Sequence, residues 1–191
     1  NLLGAQQSGH MEAVGYDLYC KMLNEAVKSM KGEEVEEEIF ETTVDMDMDA
    51  FIPATYIKNE VQKLDIYKRI AEIENEEELM DMQEELADRF GDLPNAVNNL
   101  LNIALIKSIC HSVYVTSLVQ KGNEVTLTMY PKAKLAVEKF PELLVKYQNS
   151  LKLIPQANPY FIYRMPGNPK GKSDNMNIFT NLEKLLEDFK L

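Results

Sequence analysis

Four stretches of this 191-residue sequence hold residue types at spacings that chemistry would require. Asp45, Asp47 and Asp49 alternate within TTVDMDMDAFIP, and three carboxylates so close invite a divalent cation. An EF-hand loop needs glycine at its sixth position and glutamate at its twelfth. Counted from Asp45, those positions hold Ala50 and Tyr56. PGNPKGKS (166–173) approaches a phosphate-binding loop, but the motif's leading glycine falls on Pro166, and Gly167 comes one residue too late. Cys110 and His111 are a nucleophile and a base by type. Adjacent residues do not aim at each other, however, and no third group is evident to orient the histidine. Glu78, Asp81, Glu85 and Asp88 step by three, four and three, which stacks four carboxylates on one face of a helix. That face is either solvated or a docking stripe for arginines on a partner. No catalytic set is assigned.

The bulk properties narrow the classes that such groups could serve. At 45% hydrophobic the chain can bury a core, and its 27% charged residues are unevenly spread. Net charge is −11, with 21 acids against 5 bases between Glu33 and Asp92. Phosphate neutralisation needs clustered lysine and arginine, so this region repels nucleic acid and attracts basic protein surfaces. Cys20 and Cys110 fit no metal-ligand spacing, and with two histidines neither a zinc site nor a disulfide framework is indicated. Cys20 reads as a small packing residue within a helix. No run of eighteen apolar residues and no export signal is present in the chain, and a cytoplasmic setting is expected.

The elements that must position these groups follow from periodicity. Met11, Val14, Leu18, Met22, Ala26 and Met30 predict a helix over about 10–31, capped by Ser8 and closed by Gly32. EEVEEEIFE is an acidic linker. In TTVDMDMDAFIP, Val44, Met46 and Met48 face one way and the three aspartates the other, which predicts a half-buried strand ended by Pro53. Three helices follow. The first carries Val61, Leu64, Ile66, Tyr67, Ile70 and Ile73. The second carries Leu79, Met82, Leu86 and Phe90, with Asn75 and Glu78 as a capping box. The third opens after GDLP and carries Val97, Leu100, Leu101, Ala104, Leu105 and Ile109. Beyond it, VYVTSLVQKGNEVTLTMY is a hairpin turning at KGNE. KLAVEKFPELLVKYQ is a helix kinked or divided at Pro141, YFIYRMP is a third strand of this half, and Ile178, Leu182, Leu185 and Phe189 mark a final helix. The fold class is α+β: an N-terminal helical appendage, then a mixed domain with a helical block and a small, mostly antiparallel sheet.

Taken together, NLLGAQQSGH, YDLYCKML, FIPATYI, IYKRIAEIENEEEL and EELADRFGDLP resemble the C-terminal end of the bacterial transcription-repair coupling factor family (Mfd). The resemblance covers residues 1–31 and about 43–110. Beyond residue 111 it rests on the order of elements. It implies that residues 1–32 are the tail of the second RecA-like motor lobe, that 33–42 are a linker, and that 43–191 are the family's C-terminal regulatory domain. In that family and in the related RecG helicase, a loop Gly-Asn-Leu-Leu-Gly-x-x-Gln-x-Gly couples ATP hydrolysis to movement on duplex DNA. Gln7 falls on its glutamine.

The resemblance further implies a domain that is not an enzyme and holds no cofactor. The parent would be an ATP- and magnesium-dependent DNA translocase that displaces stalled RNA polymerase, recruits nucleotide excision repair through UvrA, and binds double-stranded DNA. The 43–191 domain would bind neither nucleic acid nor membrane. It would pack on the parent's own UvrA-binding module and hide the recruiting surface, an autoinhibition in which Glu85 and Asp88 meet arginines, with Glu78 and Asp81 on the same face. The alternatives are a small metal-dependent hydrolase using Asp45, Asp47 and Asp49, and a free-standing acidic interaction adaptor.

Overall fold

The computed structural model describes residues 40–131, 140–167 and 175–190. The expected helix over 10–31 with Ser8 and Gly32, Gln7, Cys20, linker residues 33–39, the start of the helix before Pro141 and most of PGNPKGKS lie outside the described residues. The described elements run β1 (Thr43–Met46), α1 (Glu60–Ala71), α2 (Glu76–Phe90), α3 (Asn95–Ser112), β2 (Val115–Lys121), β3 (Glu124–Met129), α4 (Phe140–Tyr147), β4 (Leu151–Ile154), β5 (Tyr160–Arg164) and α5 (Asn175–Phe189). The class is α+β, as expected. Backbone proximity divides the described chain into a helical unit, Met48–Leu105, and a sheet unit, Phe40–Asp47 with the residues from Ile106 onward. Among the described residues, no helix is long and apolar enough to cross a membrane.

Local sequence sets each helix of the helical unit. Asn59 caps α1, its side chain accepting from the N–H groups of Val61 and Gln62 at 2.9 and 3.0 Å. The face that α1 buries is Lys63, Ile66, Tyr67 and Ile70, an i, i+3, i+4, i+7 set. Val61 and Leu64, expected on that face, are 77% and 54% exposed. Apolar residues lie around most of this helix, and the complete stripe wins over the partial one. Lys63 tolerates burial because its four-carbon stem is apolar. Helix α2 buries Leu79, Met82 and Leu86. It ends at Gly91, whose φ of +88° costs a residue without Cβ little. Tyr56 holds that end, its hydroxyl shared between the carbonyls of Leu86 at 3.1 Å and Gly91 at 2.9 Å. Burial, then the charge of Asp92, raises the Tyr56 pKa, so the phenol stays a donor. Between Leu100 and Ile106 every residue of α3 is buried, including Asn102. The Asn99 amide donates to the Asp49 carbonyl at 2.9 Å.

In the sheet unit five strands lie in the order β1-β2-β3-β5-β4. The β1–β2 pair is parallel and the others antiparallel. Register places Val44, Leu118, Leu127, Phe161 and Leu153 in one row across all five strands. Helices α4 and α5 cover that face: Phe161 meets Phe140 and Phe189 at 5.1 Å, and Tyr163 meets Tyr147 at 5.7 Å. Lys146 reaches Asp188 at 2.8 Å, and the Tyr147 hydroxyl donates to the same carboxylate. The hairpin connection is Gly122–Asn123, with Gly122 at φ +59°, as KGNE predicts.

The expected strand over TTVDMDMDAFIP stops at Met46, well before Pro53. The Asp47 N–H leaves the ladder to donate to Gln120 Oε1 at 2.9 Å. The expected three strands after residue 111 are four: LKLI (151–154) forms the outermost, β4. Pro141 sits in the first turn of α4, a position where its missing N–H costs nothing.

The Ile52 N–H donates to the Tyr67 hydroxyl at 2.9 Å in a buried setting. Tyr67→Phe removes the acceptor and orphans that donor, so it should destabilise the helical unit by about 1–3 kcal/mol. Urea unfolding with amide exchange at Ile52 measures this, and wild-type values for both would overturn it.

Candidate functional site: the acidic face of α2

Helix α2 begins with Glu76, Glu77 and Glu78, three acids that suit the positive end of a helix dipole. Asn75 caps it by accepting from the Glu78 N–H at 2.9 Å. Glu78 returns the favour differently from a standard capping box, accepting from the Glu74 N–H and the Asn75 side-chain amide, each at 3.2 Å. Its carboxylate is therefore occupied in starting the helix.

Glu85 is occupied too. Arg69 of α1 grips it bidentately, Nη1 on Oε2 and Nη2 on Oε1 at 2.6 Å, and Arg89 adds a third contact at 3.1 Å from one turn along α2. The two hydrogen bonds from Arg69, and then those from Arg89, pull the carboxyl down from 4.5 to about 2 against the opposing effect of partial burial. Arg89 also lies 4.9 Å over the Phe90 ring, which packs on Tyr56 at 5.7 Å.

The four expected stripe residues therefore divide. Glu78 and Glu85 are committed within the unit. Asp81 and Asp88 are exposed and, among the described residues, enter no ion pair. Two acids outside the expected stripe share their condition. Glu77 and Glu84 are exposed, so the outward row is Glu77, Asp81, Glu84 and Asp88, stepping by four, three and four. The 77–84 spacing was legible in the sequence. What was not legible is which of two overlapping rows faces solvent.

The other candidates are placed as follows. Asp45 is exposed on β1, and Asp47 and Asp49 are exposed in the bend beyond it. Among the described residues no three His, Cys, Asp or Glu side chains come together to hold a metal. The Cys110 thiol is fully buried, and that burial pushes its pKa up, away from nucleophilic use. His111 lies 4.6 Å from the Phe40 ring, with Nδ1 3.3 Å from Thr42 Oγ1.

A helical unit carrying an acidic outer face, and a mixed five-stranded sheet unit, define an α+β domain of one recognised kind: a TRCF domain profile matches residues 46–140. The chain is 41% identical over 138 residues to the transcription-repair-coupling factor of Bacillus subtilis (strain 168), which covers 72% of this chain and 12% of that protein. It is 42% identical over 134 residues to the transcription-repair-coupling factor of Staphylococcus haemolyticus, covering 70% and 12%. A crystal structure of the C-terminal domain of transcription-repair coupling factor superposes with a TM-score of 0.65 at 27% identity, covering 78% of this chain and 92% of that one. The chain belongs to the transcription-repair coupling factor family, and it spans 12% of the length of the curated relatives it matches.

The depressed Glu85 pKa has a definite sign for stability. The pair contributes fully above pH 4.5 and is lost as pH falls through about 2. Both side chains are over one third exposed, at 38% and 35%, so solvent screening limits the contribution to about 0.5–1 kcal/mol. Glu85→Gln should lower stability by that amount at pH 7, with the gap to wild type closing between pH 4.5 and 2. Urea midpoints at several pH values test it, and a gap independent of pH would contradict the assignment.

Proposed function

We propose that residues 43–191 form a non-catalytic regulatory domain of a DNA translocase, one that masks the parent's UvrA-binding module through the acidic face of α2. The observation that carries this reading is the outward row Glu77, Asp81, Glu84 and Asp88, four exposed carboxylates with no ion pair among the described residues. Like charges at such spacing weaken an isolated helix by a few tenths of a kcal/mol per pair. An arginine-bearing surface reverses the sign of that term. Family membership supplies the setting: a parent that acts on stalled RNA polymerase and on double-stranded DNA with ATP and magnesium, in the cytoplasm, and recruits excision repair. Residues 1–32 would be the tail of its motor lobe and 33–42 a linker. This chain itself would use no cofactor and bind neither nucleic acid nor membrane. The hydrolase reading on Asp45, Asp47 and Asp49 draws no support from the residue placement, and saturable Mg²⁺ binding by the purified chain would revive it.

Two measurements test the proposal. Asp81→Lys with Asp88→Lys should leave the domain folded by circular dichroism and let the full-length parent capture UvrA without polymerase or DNA. Unchanged capture by a folded double variant would refute the mask. For the motor tail, Gln7→Ala in the parent should impair translocation and leave ATP binding intact, while the purified chain hydrolyses no ATP with or without DNA. Normal polymerase displacement by that variant, or DNA-stimulated ATPase activity of the chain, would overturn the assignment.

A further inference from the structure

We propose that Glu85 is a positioning residue rather than a partner contact: gripped by Arg69, it braces α1 against α2 and leaves the outward row to meet the partner. This inference rests on the masking reading and reassigns one of its residues. The argument is a count of charge. Arg69 and Arg89 both contact the Glu85 carboxylate, so the local cluster carries a net charge of +1. An arginine from a partner approaching Glu85 would meet repulsion, not attraction. Donor capacity points the same way. Both carboxylate oxygens already accept, Oε1 from Arg69 and Oε2 from Arg69 and Arg89. A fork-on-fork contact with a fourth donor pair would need Arg69 to let go.

The strut joins two helices whose own interface is apolar and non-directional. Ile66, Tyr67 and Ile70 of α1 and Leu79, Met82 and Leu86 of α2 are buried in the helical unit. Apolar packing fixes distance better than rotation. A bidentate pair between Arg69 and Glu85, 16 residues apart, adds an orientation-sensitive contact. That contact biases the rotation of α2, and with it the direction in which Asp81 and Asp88 point. Arg69 thereby acquires a role that neither its position on α1 nor its charge announces.

The test is a charge swap in the full-length parent, made in an R89Q background so that no arginine faces the new one. The two readings predict opposite signs for R69E. If Glu85 met the partner directly, releasing it from Arg69 would tighten the mask. As a strut, its loss should loosen the mask, raising UvrA capture without polymerase or DNA by about three- to tenfold. E85R should do the same, and the double swap R69E with E85R should restore the background level. Circular dichroism guards against unfolding. Reduced capture by R69E, or a double swap as leaky as E85R alone, would overturn the proposal. Failure of the masking reading itself would show separately, as no effect of D81K with D88K. The strut is then decided in the purified chain by carbon-detected titration of Glu85. A carboxyl that titrates well below the ordinary range in wild type and returns to it in R69Q supports the strut, and an ordinary wild-type value refutes it.

Discussion

Four residues at the edge of a sheet hold the chain's path together. Strand β1 pairs in parallel with β2, and the two are separated by the entire helical unit. Closing a loop of that length costs ~4 kcal/mol in chain entropy. The pairing must therefore be better than generic. Three features make it so. Val44 and Met46 enter the buried face, at 7% exposure each. The Thr42 hydroxyl donates to the Val115 carbonyl at 2.7 Å just before the ladder begins. Gln120, buried at 2%, ends it by accepting from the Asp47 N–H and donating to the Gly122 carbonyl. A slip by one residue would turn Val44 and Met46 to solvent and leave the Gln120 amide unpaired.

The helical unit solves a different problem, the placement of excess negative charge. Its acids are not equivalent. Those in the first turn of α2 sit where the helix dipole welcomes them, Glu78 is tied to the helix start, and Glu85 is neutralised by two arginines. What remains uncompensated is confined to one outward row. A fold that had merely to survive its charge would have scattered these acids. Their alignment, one turn apart along a helix whose other face is locked into the core, is what gives an interaction reading its weight over a solvated surface.

Much of this was legible from the sequence, and the failures have specific causes. The α2 boundaries were announced by Asn75, Glu78 and Gly91, because capping chemistry is local. The hairpin at Gly122 and the final helix were legible for the same reason. Strand β1 was legible as a strand but not as a neighbour of β2, since nothing within β1 encodes a partner so distant in sequence. The mistaken faces of Val61 and Leu64 came from an α1 that is apolar on several sides, where only tertiary packing chooses. Strand β4 is four residues long and was hidden between a helix and PQANP. The pairing of Glu85 with Arg69 joins two helices, and pattern reading along one helix cannot see it.

Strand β4 has a consequence of its own. It is the last strand of the sheet, paired with β5 on one side only, and its LKLI sequence is otherwise the kind that recruits further strands. Lys152 interrupts that run with an exposed charge, in register with Ile162 of β5. A single ammonium on a short terminal strand makes stacking with the same strand of another molecule electrostatically unfavourable. Lys152 therefore serves as a gatekeeper against edge-to-edge aggregation, a task set by the sheet's topology and independent of any partner.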